Sequence, residues 1–186
     1  MDADRNDETL MLAYGRGDES AFELLYRRHG PGLYRYVLRQ CGNAAIAEEL
    51  FQEVWLKLIK SAPQYRQRAR FTTWLYHLAH NGMVDYYRRQ GVRAAYNLPQ
   101  SETRAEAVAP VHEGPQQALQ YQRLGKRLLQ LIRELPAEQR ETFLLRQEAG
   151  LSIGQIAAVC DAPAETIKSR WRYAIGRLRK GLEDEK

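Results

Sequence analysis

The chain has 186 residues, 44% of them hydrophobic, with 28 Lys/Arg against 23 Asp/Glu for a net charge of +5. That length buries a core and admits one or two domains; no apolar run approaches the roughly 18 residues of a membrane span, and the two cysteines cannot make a disulfide framework. The acidic, polar start (MDADRNDE) lacks the basic and apolar segments of a secretory leader, so a soluble, cytoplasmic chain with no membrane insertion of its own is expected. The charge is laid down unevenly. Six Lys/Arg stand against one acid over 61–93 and six against two over 150–182, whereas 1–60 and 94–118 are each net acidic. Two separated basic patches suit two contacts with one long polyanion.

In chain order, residues 7–15 predict a short helix capped at Asn6 or Asp7 and ended by Gly15-Arg16-Gly17. Asp18 caps a longer helical stretch with an apolar stripe of Phe22, Leu25, Tyr26, Leu33, Tyr36, Val37 and Leu38, which Gly30-Pro31-Gly32 is expected to kink or divide. Asn43 starts the next helix, with acids early and lysines late as the helix dipole prefers. Its apolar positions Ile46, Ala47, Leu50, Phe51, Val54 and Leu58 leave Glu49, Gln52, Glu53 and Trp55 as an exposed acidic, aromatic-edged face.

SAPQYRQRAR (61–70) reads as a functional loop, too polar for core. The helix after it mixes Phe71, Trp74, Tyr76, Tyr86 and Tyr87 with Asn81 and basic residues. Rings beside cations suit an unstacked single strand, because ring faces stack on bases while Arg follows the backbone. Trp74, Leu75 and Leu78 are assigned to the core; Tyr65 and Asn81 are assigned to base contact. Residues 91–118, rich in Ala, Pro, Glu, Gln and Ser without apolar periodicity, read as a flexible linker.

The second unit opens with LQYQRLGKRLLQLIRELP, and Pro136 starts a further helix closed by Gly150. Ser152 then caps a short helix (Ile153, Ile156, Ala157, Cys160), a turn falls at Asp161-Ala162, and Pro163 begins the last helix. There Ile167, Trp171, Ala174, Ile175, Leu178 and Leu182 face inward, turning Thr166, Lys168, Ser169, Arg172 and Tyr173 outward or to the flanks. This is a helix-turn-helix whose second helix offers hydroxyls and cations near its N-terminus, where a recognition helix meets base edges. With no period-two strands and no repeat, the fold class is all-α: two small helical domains joined by a linker, with boundaries at 1–92, 93–115 and 116–186. Cys41 and Cys160 read as buried small hydrophobes.

The strings AFELLYRRH, AEELFQEVWLKL and FTTWLYHLAHNGMVDYYRR resemble the second conserved region of the extracytoplasmic-function (ECF) group of bacterial sigma factors. LPAEQRETFLLRQEAGLSIGQIAAVCDAPAETIKSRWRYAIGRLR resembles the fourth. The resemblance covers about 19–92 and 116–182, in the family's order. It implies a transcription initiation factor and no enzyme, with no cofactor and no metal. Its partners would be core RNA polymerase (the beta-prime clamp helices and the beta flap), promoter DNA and an anti-sigma factor. By that resemblance Glu49, Gln52, Glu53 and Trp55 would bind polymerase. Tyr65, Arg66, Arg68, Arg70, Thr72, Thr73, Asn81, Arg88 and Arg89 would melt and hold the minus-ten element. Glu165, Thr166, Lys168, Ser169, Arg170, Arg172 and Tyr173 would read the minus-thirty-five element. The chain departs from the family at Glu165, where an acid comes near the DNA, at Tyr173, where many members carry Arg, and at the turn pair Cys160-Asp161.

Two rivals come from other classes. A DNA-binding regulator would share the helix-turn-helix but has no need of the Tyr65 loop. A metalloenzyme built on His77, His80 and Asp85 lacks a further ligand set or a general base at suitable spacing.

Overall fold

The computed structural model describes residues 5–91 and 115–183, the side chains of 115–120 excepted. The segment read as a linker lies outside the described residues over most of its length. The regular elements among the described residues are all helices, without strands: α1 (Asp7–Tyr14), α2 (Glu19–Cys41), α3 (Ala44–Ser61), a 3₁₀ turn (Ala62–Gln64), α4 (Phe71–Arg89), α5 (Pro115–Glu134), α6 (Ala137–Glu148), α7 (Ile153–Val159) and α8 (Ala164–Glu183).

The helix starts follow their caps. The side chains of Asn6, Asp18 and Asn43 each accept a backbone N–H from the first turn of the helix that follows. At the end of α2, Gly42 takes the left-handed conformation (φ 69°) that favours glycine and returns its N–H to the Leu38 carbonyl. Gly15 ends α1 for a different reason: a Cβ there would sit 2.5 Å from the Ala62 carbonyl oxygen. Pro31 does not divide α2, which runs through it unbroken. Pro31 and Arg27 are both exposed, so the Arg27 carbonyl that loses its helical donor faces water instead of core.

In the first unit α2 packs on α1 and α3, and α4 closes against α3 and α1. Leu25, Leu33, Val37, Leu50, Leu58, Phe71, Leu75 and Met83 are fully or almost fully buried between them. Each such side chain contributes roughly 1.5–3 kcal/mol of transfer free energy. In the second unit α8 is the central element, touching α5, α6 and α7. The two units also pack on each other, α2 against α6 and α4 against α7, so that one apolar core runs through both.

That contact is polar as well as apolar. Glu148 receives both Arg35 (2.8 Å) and Arg39, and Tyr36 donates to Glu141 at 2.9 Å. Gln40, fully buried, donates to the Ala137 carbonyl and accepts from Arg140, whose guanidinium also reaches the Arg133 carbonyl. Each of these polar groups would regain water if the units parted.

Candidate nucleic-acid and polymerase interfaces

The last helix, α8, is held from behind. Ser152 and Gln155 form a reciprocal capping box that starts α7. Asp161 takes a left-handed backbone (φ 48°) to turn the chain, and the Pro163 carbonyl accepts the first helical N–H of α8, from Ile167. Ile167, Ala174 and Leu178 are buried, Trp171 stacks on Phe143 at 5.9 Å, and the Arg146 guanidinium lies over the Trp171 ring at 5.7 Å. The opposite face is thereby fixed outward. Glu165, Lys168, Arg172 and Tyr173 are exposed, Tyr173 by 56%, while Thr166, Ser169 and Arg170 are half-buried.

Within that face the side chains are not equivalent. Lys168 pairs with Glu165 at 2.6 Å, so the acid that departs from the family pattern neutralises a cation on its own helix. Arg172 lies over the Tyr173 ring at 5.4 Å, a loose contact that leaves its charge at the surface. Arg170 turns away and bonds Glu138 at the start of α6 (2.6 Å). It ties α8 to its support.

The first unit carries the second basic face. Arg66, Arg68, Arg70, Asn81, Arg88 and Arg89 are exposed and Thr72 is half-buried, whereas Thr73 is buried with no partner for its hydroxyl. Arg88 meets Asp85 (3.3 Å) and Arg89 meets Glu53 (3.7 Å), both pairs at the surface. Asn81 donates to His77 Nε2 (2.9 Å), and His77 Nδ1 donates to the Val159 carbonyl of α7 (3.3 Å).

Tyr65 differs from the sequence expectation. It is only 6% exposed, its ring set against Trp74 at 5.0 Å. Burial, with Glu8 and Asp7 nearby, pushes its phenol up to about 12, and its hydroxyl has no partner. The 61–70 stretch is polar, but the 3₁₀ turn folds Ala62 and Tyr65 under it.

Trp55 also differs. It is 5% exposed, packed among Phe22, Tyr26 and Phe51, because positions 51, 54, 55 and 58 share the inner side of α3. The outer side carries Glu49, Gln52 and Glu53 with Leu56 (53% exposed) and Ile59. A shallow groove between α3 and α4 runs beside it, lined by Glu53, Leu56, Lys57, Lys60, Asp85 and Arg88 among others. Leu56 is the residue the sequence reading missed. Its signal was there, since 49, 52, 53 and 56 follow one helical stripe.

Residues 25–93 match the family model of sigma-70 region 2, and residues 125–177 match that of sigma-70 region 4. The chain is 31% identical over 172 residues to the RNA polymerase sigma factor CarQ of Myxococcus xanthus, covering 92% of this chain and 95% of that protein. It is 28% identical over 193 aligned residues to the ECF RNA polymerase sigma-E factor of Escherichia coli K12, across all of this chain and 96% of that one. The chain belongs to the ECF sigma factors. It is therefore a transcription initiation factor that directs RNA polymerase to promoters, and no enzyme. The region 2 match also disposes of the regulator reading, which explains only the second unit.

A similar fold is seen in the solved complex of the sigma factor RpoE with the anti-sigma factor NepR from Bartonella quintana. It has a TM-score of 0.68 at 23% identity and covers 89% of this chain and 98% of that one. In this sigma factor no described helix is long and apolar enough to cross a membrane. Asp85 and His77 engage Arg88 and Val159, so the sequence trio of His77, His80 and Asp85 is not gathered at one point.

Proposed function

We propose that the two faces divide the promoter between them, with unit boundaries at 1–92, 93–115 and 116–186. The stripe of exposed Glu49, Gln52 and Leu56 with half-buried Glu53 docks on the beta-prime clamp helices, acids steering and Leu56 supplying buried apolar area. Arg66, Arg68, Arg70, Arg88 and Arg89 follow the phosphates of the opened minus-ten strand, and Asn81 meets a base. Tyr65 takes part only after leaving its seat on Trp74. Lys168, Ser169 and Arg172 read the minus-thirty-five duplex in the major groove, Thr166, Glu165 and Tyr173 flank them, and the second unit leans on the beta flap. The regulon concerns stress or the envelope, and the protein acts in the cytoplasm.

The observation that carries this reading is the pairing of an outward hydroxyl-and-cation face on α8 with an acidic-apolar stripe on α3, on separate units. The packed arrangement is not the promoter-reading one. Elements about 25 base pairs apart are separated by roughly 85 Å of duplex at 3.4 Å per step. A compact chain of this length has a radius of gyration of only about 16 Å. The units must part, and residues 92–114 could reach at most about 80 Å when drawn out. We further propose that an anti-sigma factor favours the closed form, as the RpoE–NepR complex suggests by analogy of fold.

Run-off transcription with core polymerase on fragmented genomic DNA, at fixed salt, tests the reading. New start sites that share two spaced elements, lost on Leu56→Asp in the full chain, are the expected result. Absence of new starts while the chain alone binds duplex selectively would overturn it.

A further inference from the structure

His80, Glu141 and Cys160 meet where the two units touch. They come from three helices: His80 from α4 of the first unit, Glu141 from α6, and Cys160 from the end of α7. One ligand-type atom of each lies within 4.8 Å of the others. We propose that these three side chains form a zinc-class divalent metal site that clasps the two units together in the closed form. This rests on the sigma-factor reading only for its consequence; the binding itself does not depend on it.

The donor set selects the metal. An imidazole nitrogen, a carboxylate oxygen and a sulfur suit Zn²⁺ or Co²⁺, whereas Mg²⁺ and Ca²⁺ want oxygen alone. Tetrahedral bonds of about 2.0–2.3 Å put donors roughly 3.3–3.6 Å apart. His80 Nδ1 now meets Glu141 Oε1 at 2.6 Å, so that pair opens by less than about 1 Å and the sulfur closes in, movements within side-chain rotation. The Tyr36 hydroxyl donates to the same Glu141 oxygen at 2.9 Å and orients the carboxylate from behind, as outer partners do at metal sites. Glu141 is 4% exposed, but His80 and Cys160 are only half-buried, which leaves a way in for the ion and room for a water as fourth ligand.

Charge balances in the bound state, although deprotonating the ligands costs part of the binding. Burial holds the Cys160 thiol up in its protonated form. Burial opposes charge on His80, yet the bond to Glu141 outweighs it and its pKa is raised. A dication with one thiolate, one carboxylate and one neutral imidazole carries no net charge. On binding, the thiol proton of Cys160 passes to solvent, and His80 frees Nδ1 for the metal, an imidazolium by losing that proton to solvent and a neutral ring by carrying its one proton on Nε2. Because the ligands span both units, metal binds the closed form and not the open one, and a hundredfold excess over the dissociation constant shifts opening about a hundredfold.

The test uses the full chain stripped with chelator and titrated with Co²⁺. A thiolate-to-cobalt charge-transfer band with intense tetrahedral visible bands at one ion per chain is expected. Cys160→Ser should abolish the charge-transfer band, and His80→Gln or Glu141→Gln should weaken binding at least tenfold. Should a variant fail to fold by circular dichroism, alkylation of the wild type decides: Zn²⁺ should slow alkylation of Cys160 by a larger factor than that of fully buried Cys41, whose rate follows opening of the fold alone. No band, a band surviving Cys160→Ser, or equal protection of both cysteines would overturn the site. Zn²⁺ should also depress run-off by the wild type more than by Cys160→Ser. The spectra need no polymerase, so failure of the promoter reading and failure of the metal site are told apart.

Discussion

The two basic faces of this sigma factor are built in opposite ways. On α8 every side chain that helical spacing turned outward is reachable, because the inner stripe of Ile167, Trp171, Ala174 and Leu178 seats the helix on α6 and the outer stripe has nowhere else to go. On the first unit the cations are ready, but the aromatic assigned to a base, Tyr65, is folded under its own loop against Trp74. Regular helices expose what their period dictates. A loop exposes what tertiary packing leaves over, so the outward face of α8 is preformed while Tyr65 is covered.

The strongest way to break that contrast is at Tyr65. If the ring is part of the fold, Tyr65→Ala costs about 3 kcal/mol of stability even without DNA. Tyr65→Phe instead raises stability by up to about 1 kcal/mol, because the hydroxyl it removes is buried without a partner. Urea unfolding of the free chain reads both. A Tyr65→Ala cost under about 0.5 kcal/mol would mean that the ring already stands in solvent, as a surface residue would. Permanganate footprinting of the opened minus-ten strand then separates roles: Tyr65→Phe should keep the opening, since stacking needs only the ring.

The next contrast lies within α8. Lys168→Ala or Arg172→Ala should weaken binding to the minus-thirty-five duplex by roughly 1–3 kcal/mol with little change in unfolding. Arg170→Ala should do the reverse, losing stability through its bond to Glu138 while base discrimination is kept. Fluorescence anisotropy on matched and mutated duplexes, beside unfolding curves, measures the two axes. Discrimination lost at Arg170 would mean that the Glu138 bond breaks on DNA.

How much was legible follows the same division. The caps at Asn6, Asp18, Asn43 and Ser152, the inner stripe of α8 and the left-handed turn at Asp161 could be read because each is decided within a few residues of chain. Trp55 was misplaced although its period was visible: 51, 54, 55 and 58 put it inside, and an aromatic beside acids drew it to the surface. Pro31 looked like a break, but its cost depends on which side of α2 meets water, and that is set by packing. The contact between units was not legible at all. Gln40, Arg140, Glu141 and Glu148 are polar residues with no local sign of burial, and their partners lie some 60 to 110 residues away in sequence.

The smallest effect probes the turn between the two helices. Asp161 holds φ 48°, where an ordinary side chain costs about 1–2 kcal/mol and Asp less, since its carboxylate can bond local backbone. Asp161→Ala should therefore destabilise by about 1 kcal/mol. Asp161→Gly should change stability by only a few tenths, the strain it removes being offset by roughly 0.5–1 kcal/mol of extra freedom in the unfolded chain. Equal losses for Ala and Gly would locate the value of Asp161 in its charge, not in its backbone. What remains would be read from duplex binding alone: if the preformed face owes its alignment to this turn, Asp161→Ala weakens it and Asp161→Gly does not.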